Sequence, residues 1–249
     1  MMMPQAYPLP RAGWFAAACC TAVACSASGA WGAEDGNLSQ LRLGVSGPPP
    51  PSVEEKVSGV NGGVDTTYTW QGSDHTAIQV SLEYLRVSTG AWGGPVYGLA
   101  ATATRYNLTP TGYTVGNTTF QNDDPSHLGS SSIGGQLLGG WQFGATRESG
   151  TSAFAEILPF VGGGLAWAQT RNRANPSSPY ETNRGRGWYG EYGFRLGAFI
   201  AERSWFAGVT SAYTVGNALV RIDTVGGGTS ELRLERRGWG WGVVLGHNF

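Results

Sequence analysis

Charge, cysteine and long apolar runs are all scarce in this chain of 249 residues. Charged residues make up 13% of it, against about 25% in ordinary globular proteins, which disfavours a soluble sphere with a charged surface. The net charge of -1 leaves no basic footprint for nucleic acid, so we expect no nucleic-acid partner. Beyond residue 33, no apolar run approaches the ~18 to 20 residues of a membrane helix, which disfavours a helical membrane protein.

The three cysteines all lie in the first 25 residues. Residues 1–33 have the organisation of a cleaved secretory signal peptide: Arg11 is positive, 14–24 form an apolar core, and Ser28-Gly29-Ala30 is a small-residue cleavage site. Residues 34–249 are then the mature domain, without disulfides, zinc ligands or thiol catalysis. Two alternatives stay open, a buried helix of a soluble protein and lipidation at Cys25, because AVAC loosely resembles a lipoprotein signal.

Glycine, in contrast, is abundant, with 40 residues, and the mature part alternates apolar with polar or small side chains. The clearest run is AIQVSLEYLRV at 77–87. Successive side chains of a strand point to opposite faces, so a period of two indicates a strand. Eight such runs are present, at 41–46, 77–87, 97–104, 136–143, 153–169, 187–201, 205–215 and 239–249.

The connections between these runs alternate in length. Four are long, at 47–74, 107–129, 171–186 and 216–230. Three are short, at 88–94, 146–151 and 202–203. Bacterial outer-membrane barrels have long extracellular loops and short periplasmic turns, so the spacing predicts four long extracellular loops and both chain ends on the periplasmic side.

The second face of each strand consists largely of Gly, Ser, Thr and Gln. Such a face suits the narrow lumen of an eight-stranded barrel better than open water, and only a closed sheet satisfies every backbone group in lipid. We therefore predict an all-β, membrane-spanning, antiparallel up-and-down β-barrel of eight strands, with a soluble β-sandwich as the alternative. Interfacial aromatic residues are expected at both membrane edges, namely Trp141, Phe143, Trp205 and Phe249 at the periplasmic edge and Trp167 and Trp239 opposite.

The last predicted strand, GWGWGVVLGHNF, has large apolar side chains at alternate positions before a final aromatic residue. These residues are Trp239, Trp241, Val243, Leu245 and Phe249, and His247 departs from the pattern. The strand resembles the terminal assembly signal of outer-membrane barrels. With the signal peptide and the strand count, the mature chain resembles the small eight-stranded group that includes the OmpA transmembrane domain, OmpX and the opacity proteins. The resemblance implies location in the cell outer membrane, contact with outer-membrane lipid and lipopolysaccharide, and insertion by the outer-membrane assembly machinery.

Four charged residues fall on the predicted inner face: Glu83, Glu156, Glu191 and Arg195. Charges there are expensive unless they are paired, so we hypothesise a lumenal charge network in which Arg195 pairs with one or more of the carboxylates. Two interpretations are open, a structural plug that holds the lumen closed and a gated ion path.

Catalytic patterns are not found. His75 follows Ser73 and Asp74, and His127 precedes Ser130, but neither forms the His-x-Ser arrangement of the barrel deacylases. We expect no catalytic residue, no cofactor and no metal site. The sequence favours a non-enzymatic protein with a structural or adhesive role through its loops, whose extracellular partner the loop sequence does not name. The alternatives are a narrow porin or transport channel and a lipid-modifying outer-membrane enzyme.

Overall fold

The computed structural model describes residues 37–58, 66–88, 93–121, 127–146, 151–172, 181–223 and 228–249. The predicted signal peptide and Cys25 lie outside the described residues and stay sequence predictions. Within these ranges the chain forms ten strands: β1 (Asn37–Gly47), β2 (Pro51–Ser58), β3 (Thr66–Ser88), β4 (Gly94–Val115), β5 (Thr118–Gln121), β6 (His127–Thr146), β7 (Thr151–Asn172), β8 (Glu181–Glu202), β9 (Trp205–Asp223) and β10 (Thr229–Asn248). None of the described residues belongs to a helix long and apolar enough to span a membrane.

Eight of these strands close into a ring in the order β1, β3, β4, β6, β7, β8, β9 and β10, and β10 pairs back with β1. Every neighbouring pair is antiparallel. Following the register partners once around the ring leads from Arg42 to Pro51, nine residues further along the chain. This offset tilts the strands relative to the barrel axis. The prediction of an eight-stranded all-β barrel is confirmed.

The first wall strand is split into two collinear parts, because β1 and β2 both run antiparallel to β10. Prolines at 48–50 separate them, and proline has no N–H to donate to a ladder. Gly47 faces Trp241 and Pro51 faces Arg236. The three residues 48–50 between β1 and β2 therefore lie opposite the four residues 237–240 of β10. The buried residues consequently have even numbers in β1 and odd numbers in β2.

The four predicted long loops have the wrong bounds, because strand pairing continues far into them. The first contains all of β2 and the start of β3, and the second contains the ends of β4 and β6 together with β5. β7 to β10 likewise extend into the third and fourth. In these segments the alternation is reversed, because apolar side chains such as Val53, Leu128 and Ile222 face the interior and their polar neighbours are exposed, while the backbone ladder itself persists.

The burial pattern differs from that of a soluble protein, since many large apolar side chains of the strands are exposed on the outside. Exposed aliphatic residues form a belt around the ring: Leu43, Val45, Ile78, Leu99, Leu137, Val161, Leu165, Leu196, Val209, Val243 and Leu245. Exposed aromatic residues flank it: Tyr84, Tyr97, Trp141, Phe143 and Trp205 on the side of the termini, and Trp167, Trp188 and Trp239 on the other. A closed sheet with this outer surface spans a membrane.

Candidate functional site

Four strands bring charged side chains together in the lumen, and we call this group the lower network: Arg42 of β1, Glu83 of β3, Glu156 of β7 and Arg195 of β8. Arg195 donates hydrogen bonds to both carboxylate oxygens of Glu83, at 2.5 and 2.8 Å, and a longer one of 3.4 Å to Glu156. Arg42 reaches the two oxygens of Glu156 from separate nitrogens, each at 2.8 Å. The charges thus alternate in sign along one continuous chain.

Polar and aromatic neighbours hold the lower network in place. Gln40 accepts hydrogen bonds from Arg42 through one oxygen, at 3.1 Å from Nε and 2.5 Å from Nη2. The Ser81 hydroxyl donates to Glu83 at 3.0 Å. The rings of Phe199 and Phe206 lie 5.1 and 5.3 Å from Cζ of Arg42, within cation–π range.

A second group, the upper network, lies further from the chain ends and contains Glu191, Arg236, Tyr106 and Gln136. Arg236 donates to the Glu191 carboxylate and to the Tyr106 hydroxyl. The Gln136 amide donates to the other Glu191 oxygen at 2.6 Å. Gly216 makes room for this group, since a Cβ there would lie 3.2 Å from Cβ of Glu191.

The two networks are buried and electrically balanced. Each has as many arginines as glutamates, and the Arg42 and Glu156 side chains are both 0% exposed. Two cavities lined by lumenal residues have volumes of about 50 and 40 Å3, each large enough for a few waters. Apolar clusters pack on both sides of the charges, one of which includes Leu128, Ile222 and Leu232. This arrangement fills the lumen rather than exposing a reactive group.

Sequence reasoning found part of this site. The structure brings Glu83, Glu156 and Arg195 together, whereas Glu191 pairs with Arg236 instead of Arg195. Arg42 was missed, although it lies between two leucines that face outward in β1. This alternation was sufficient to place the Arg42 side chain in the lumen. Arg236 was missed because the predicted eighth strand began at 239, and β10 begins ten residues earlier, at Thr229.

Comparisons with known proteins found distant likenesses only. No family model and no curated protein matches the chain. It is similar to the outer membrane protein OprG from Pseudomonas aeruginosa, with 13% identity and a TM-score of 0.34 over 88% of this chain and 98% of that one. It is also similar to Ail, the attachment invasion locus protein of Yersinia pestis, with 10% identity and a TM-score of 0.26 over 87% and 100%. For the outer membrane protease OmpT from Escherichia coli, the identity is 9% and the TM-score 0.31 over 87% and 98%.

The barrel's own geometry decides its location. The ring is closed, its outer face is an apolar belt, and aromatic residues flank that belt on both sides. Bacterial barrels of this construction lie in the outer membrane, with the chain ends on the periplasmic side. The protein is therefore an outer-membrane β-barrel, and the end away from the termini is extracellular.

The terminal strand completes the ring at its periplasmic edge. Its predicted signal residues Trp239, Trp241, Val243 and Leu245 are all exposed on the outer face. The Phe249 N–H donates to the Ser39 carbonyl at 2.9 Å, and the Ser39 N–H donates to the Phe249 carbonyl at 3.1 Å.

His247, which departs from the terminal pattern, packs its ring against the aromatic residues at this edge. Its ring centre lies 4.8 Å from that of Trp205 and 6.0 Å from that of Phe249. The imidazole therefore occupies a place in the aromatic edge, where a Tyr or Trp is more usual.

Of the two histidines considered for hydrolase chemistry, His127 points away from Ser130, whereas the side chains of Ser73 and Asp74 beside His75 lie outside the described ones. His127 is exposed, with Nδ1 3.0 Å from the Thr109 hydroxyl. Ser130 is buried and donates to the Trp167 carbonyl at 3.2 Å. Within the described ranges, no three His, Cys, Asp or Glu side chains are placed to hold a metal ion.

Proposed function

We propose that this protein is a non-enzymatic outer-membrane barrel with a closed lumen, whose role is structural or adhesive and is exerted through its extracellular end. The observation that carries the proposal is the pair of neutral, buried charge networks across the lumen. Ion passage through so narrow a barrel would require these pairs to separate, and breaking a buried pair is strongly unfavourable. The structural plug is thus preferred over the gated ion path.

The length of the strands supports a role outside the membrane. β3 has 23 residues and β4, β7 and β8 have 22 each, whereas about 9 to 11 residues suffice to cross the bilayer. Roughly half of each strand consequently extends beyond the apolar belt on the extracellular side. A rigid sheet that projects this far is a suitable support for surface contacts.

An aromatic group on this projection is the best candidate for such contacts. The Tyr113 ring of β4 stacks on Phe120 of β5 at 5.2 Å and meets Tyr68 of β3 edge-on at 5.7 Å. Phe120 is exposed even though it lies beyond the membrane belt. Exposed aromatic residues of this kind are enriched in protein interfaces.

Two measurements test the proposal. In planar bilayers, the refolded protein should give no sustained ionic current, and a steady current would instead support the narrow channel.

For adhesion, bacteria displaying the full chain should attach better than non-displaying bacteria to glass coated with collagen or laminin, and Tyr113→Ser with Phe120→Ser should remove the gain. Equal attachment with and without the protein would contradict the adhesive role.

We also propose that the terminal residues Trp239, Trp241, Val243, Leu245 and Phe249 are recognised by the assembly machinery, as in the group that includes the OmpA transmembrane domain, OmpX and the opacity proteins. The alternation of Trp239, Trp241, Val243 and Leu245 on one exposed face supports this. Phe249→Ala should lower the amount of folded protein in the outer membrane several-fold. It should leave refolding in detergent intact, and an unchanged yield in cells would count against the signal.

A further inference from the structure

Three exposed arginines form a cluster on the outer wall above the apolar belt: Arg184 and Arg186 of β8 and Arg221 of β9. We call them the outer arginine cluster. Arg186 and Arg221 are register partners on adjacent antiparallel strands. Arg184 lies two residues from Arg186 and therefore on the same face of its strand.

In the part of the chain that the structure describes, no carboxylate forms an ion pair with this cluster. Among the described residues, none of the three arginines has a carboxylate oxygen within 4.0 Å. Two acidic residues share the surface, Glu231 as the register partner of Arg221 and Asp223 two residues along β9, but neither is paired with the cluster. Like charges directly opposite each other destabilise a sheet, so the arrangement favours an anion from outside.

The position of the cluster indicates which anion that is. Trp167 of β7 is the register partner of Arg186, and the pair Trp188 and Leu219 lies one step nearer the belt. Trp188 is 71% and Leu219 49% exposed. Because such aromatic residues mark the edge of the hydrocarbon layer, the guanidinium groups lie at the level of the lipid headgroups in the outer leaflet.

We propose that the outer arginine cluster binds the phosphate groups of the outer-leaflet glycolipid, lipopolysaccharide, while the acyl chains pack on Trp188 and Leu219. Guanidinium groups bind phosphate through paired hydrogen bonds, and two adjacent ones suit a diphosphorylated headgroup. The inference depends on the outer-membrane location and is independent of the adhesive role. Lipopolysaccharide binding can therefore fail while the adhesive role holds, and the adhesive role can fail while lipopolysaccharide binding holds. A soluble sulfated polysaccharide is disfavoured, because the arginines lie beside the membrane edge instead of at the tip of the barrel.

The test compares lipid A in three forms, diphosphorylated, monophosphorylated and dephosphorylated, mixed into phosphatidylcholine vesicles that contain the refolded full chain. The decisive variant is Arg186→Gln with Arg221→Gln. Arg105→Gln is the matched control, because Arg105 is also exposed but lies on β4, away from the cluster. A charge-preserving variant, Arg186→Lys with Arg221→Lys, separates guanidinium geometry from charge.

We expect the unmodified protein and the Arg105→Gln control to retain diphosphorylated lipid A with at least about tenfold preference over the dephosphorylated form, on the scale of charge-assisted hydrogen bonds. The double glutamine variant should lose this preference, and the double lysine variant should keep part of it. Heat-modifiable migration in gels verifies that each variant is folded. Equal retention of all three lipids, an undiminished preference in the glutamine variant, or tighter binding of heparin than of lipid A at these arginines would overturn the proposal.

Discussion

The arginines of the lumen and those of the outer wall belong to the same sheet but are stabilised in opposite ways. Arg42 is fully buried and makes two-point contact with Glu156, whereas Arg186 and Arg221 face each other on the outside and form no ion pair with any carboxylate of the described residues. Removal from water makes an unpaired charge very costly, while an exposed one is solvated. The same side chain is thus part of the fold in one place and free to bind a ligand in the other.

The largest expected effect is at Arg42. Its replacement by Met leaves the 3.4 Å contact to Arg195 as the one ion pair of Glu156 among the described residues, and breaking a buried pair costs about 3 to 5 kcal/mol. Urea unfolding in lipid vesicles, followed by heat-modifiable migration, measures the loss. The double variant Arg42→Met with Glu156→Leu should recover much of the stability, because no carboxylate is then left unpaired. A loss in the double variant as large as in the single one would contradict this account.

A smaller loss is expected at Glu191. In the variant Glu191→Gln, Arg236 keeps the Tyr106 hydroxyl as a partner but loses its carboxylate. Since a hydrogen bond between charged groups contributes about 1.5 to 3 kcal/mol, the free energy of unfolding should fall by an amount in that range. The same urea titration measures it. If stability is unchanged, the upper network does not contribute to closing the lumen.

The third prediction isolates the aromatic contact to the buried cation. Phe206→Leu removes a ring whose centre lies 5.3 Å from the Arg42 guanidinium. Phe154→Leu removes a ring of the same aromatic cluster, and within the described residues this ring makes no cation–π contact with an arginine. The first variant should be less stable than the second by about 1 kcal/mol, the size of a cation–π interaction. Equal losses would show that the rings act by packing alone.

The smallest effect is expected on the outer wall. Arg221→Gln should change the free energy of unfolding by no more than about 0.5 kcal/mol, because the side chain is exposed and has no ion pair within the described residues. Urea titration in vesicles without lipopolysaccharide provides the measurement. A loss comparable to that at Arg42 would show that the outer arginines stabilise the fold as much as the lumenal ones do.

Local sequence pattern was sufficient where strands cross the membrane. Runs such as 77–87 alternate apolar and small side chains because one face meets lipid and the other a narrow lumen, and all eight predicted runs lie in the ring. The pattern was insufficient beyond the membrane, where apolar side chains such as Val53, Leu128 and Ile222 face the interior and the outer face is polar. β2, β5 and the extracellular halves of β3 and β4 lack the continuous apolar outer face of the predicted runs, and they lie within predicted loops.

The prolines at 48–50 show the same limit at a single position. In sequence they resemble a stiff loop segment, yet the structure places them within the wall, between β1 and β2. Pairing with β10 on both sides of the break holds the two halves in line. Because a proline-containing segment cannot donate to a ladder, only the neighbouring strand shows that it continues the wall.

By itself, the sequence determined the period of two, the apolar outer face, the number of wall strands and the presence of charges on the inner face. Only the tertiary structure decided which charges meet. Arg42 and Glu156 are 114 residues apart, and Arg195 and Glu83 are 112 apart, so their pairing depends on closure of the ring and on the offset between its strands. Alternation is a property of one strand, whereas closure and offset belong to all eight together.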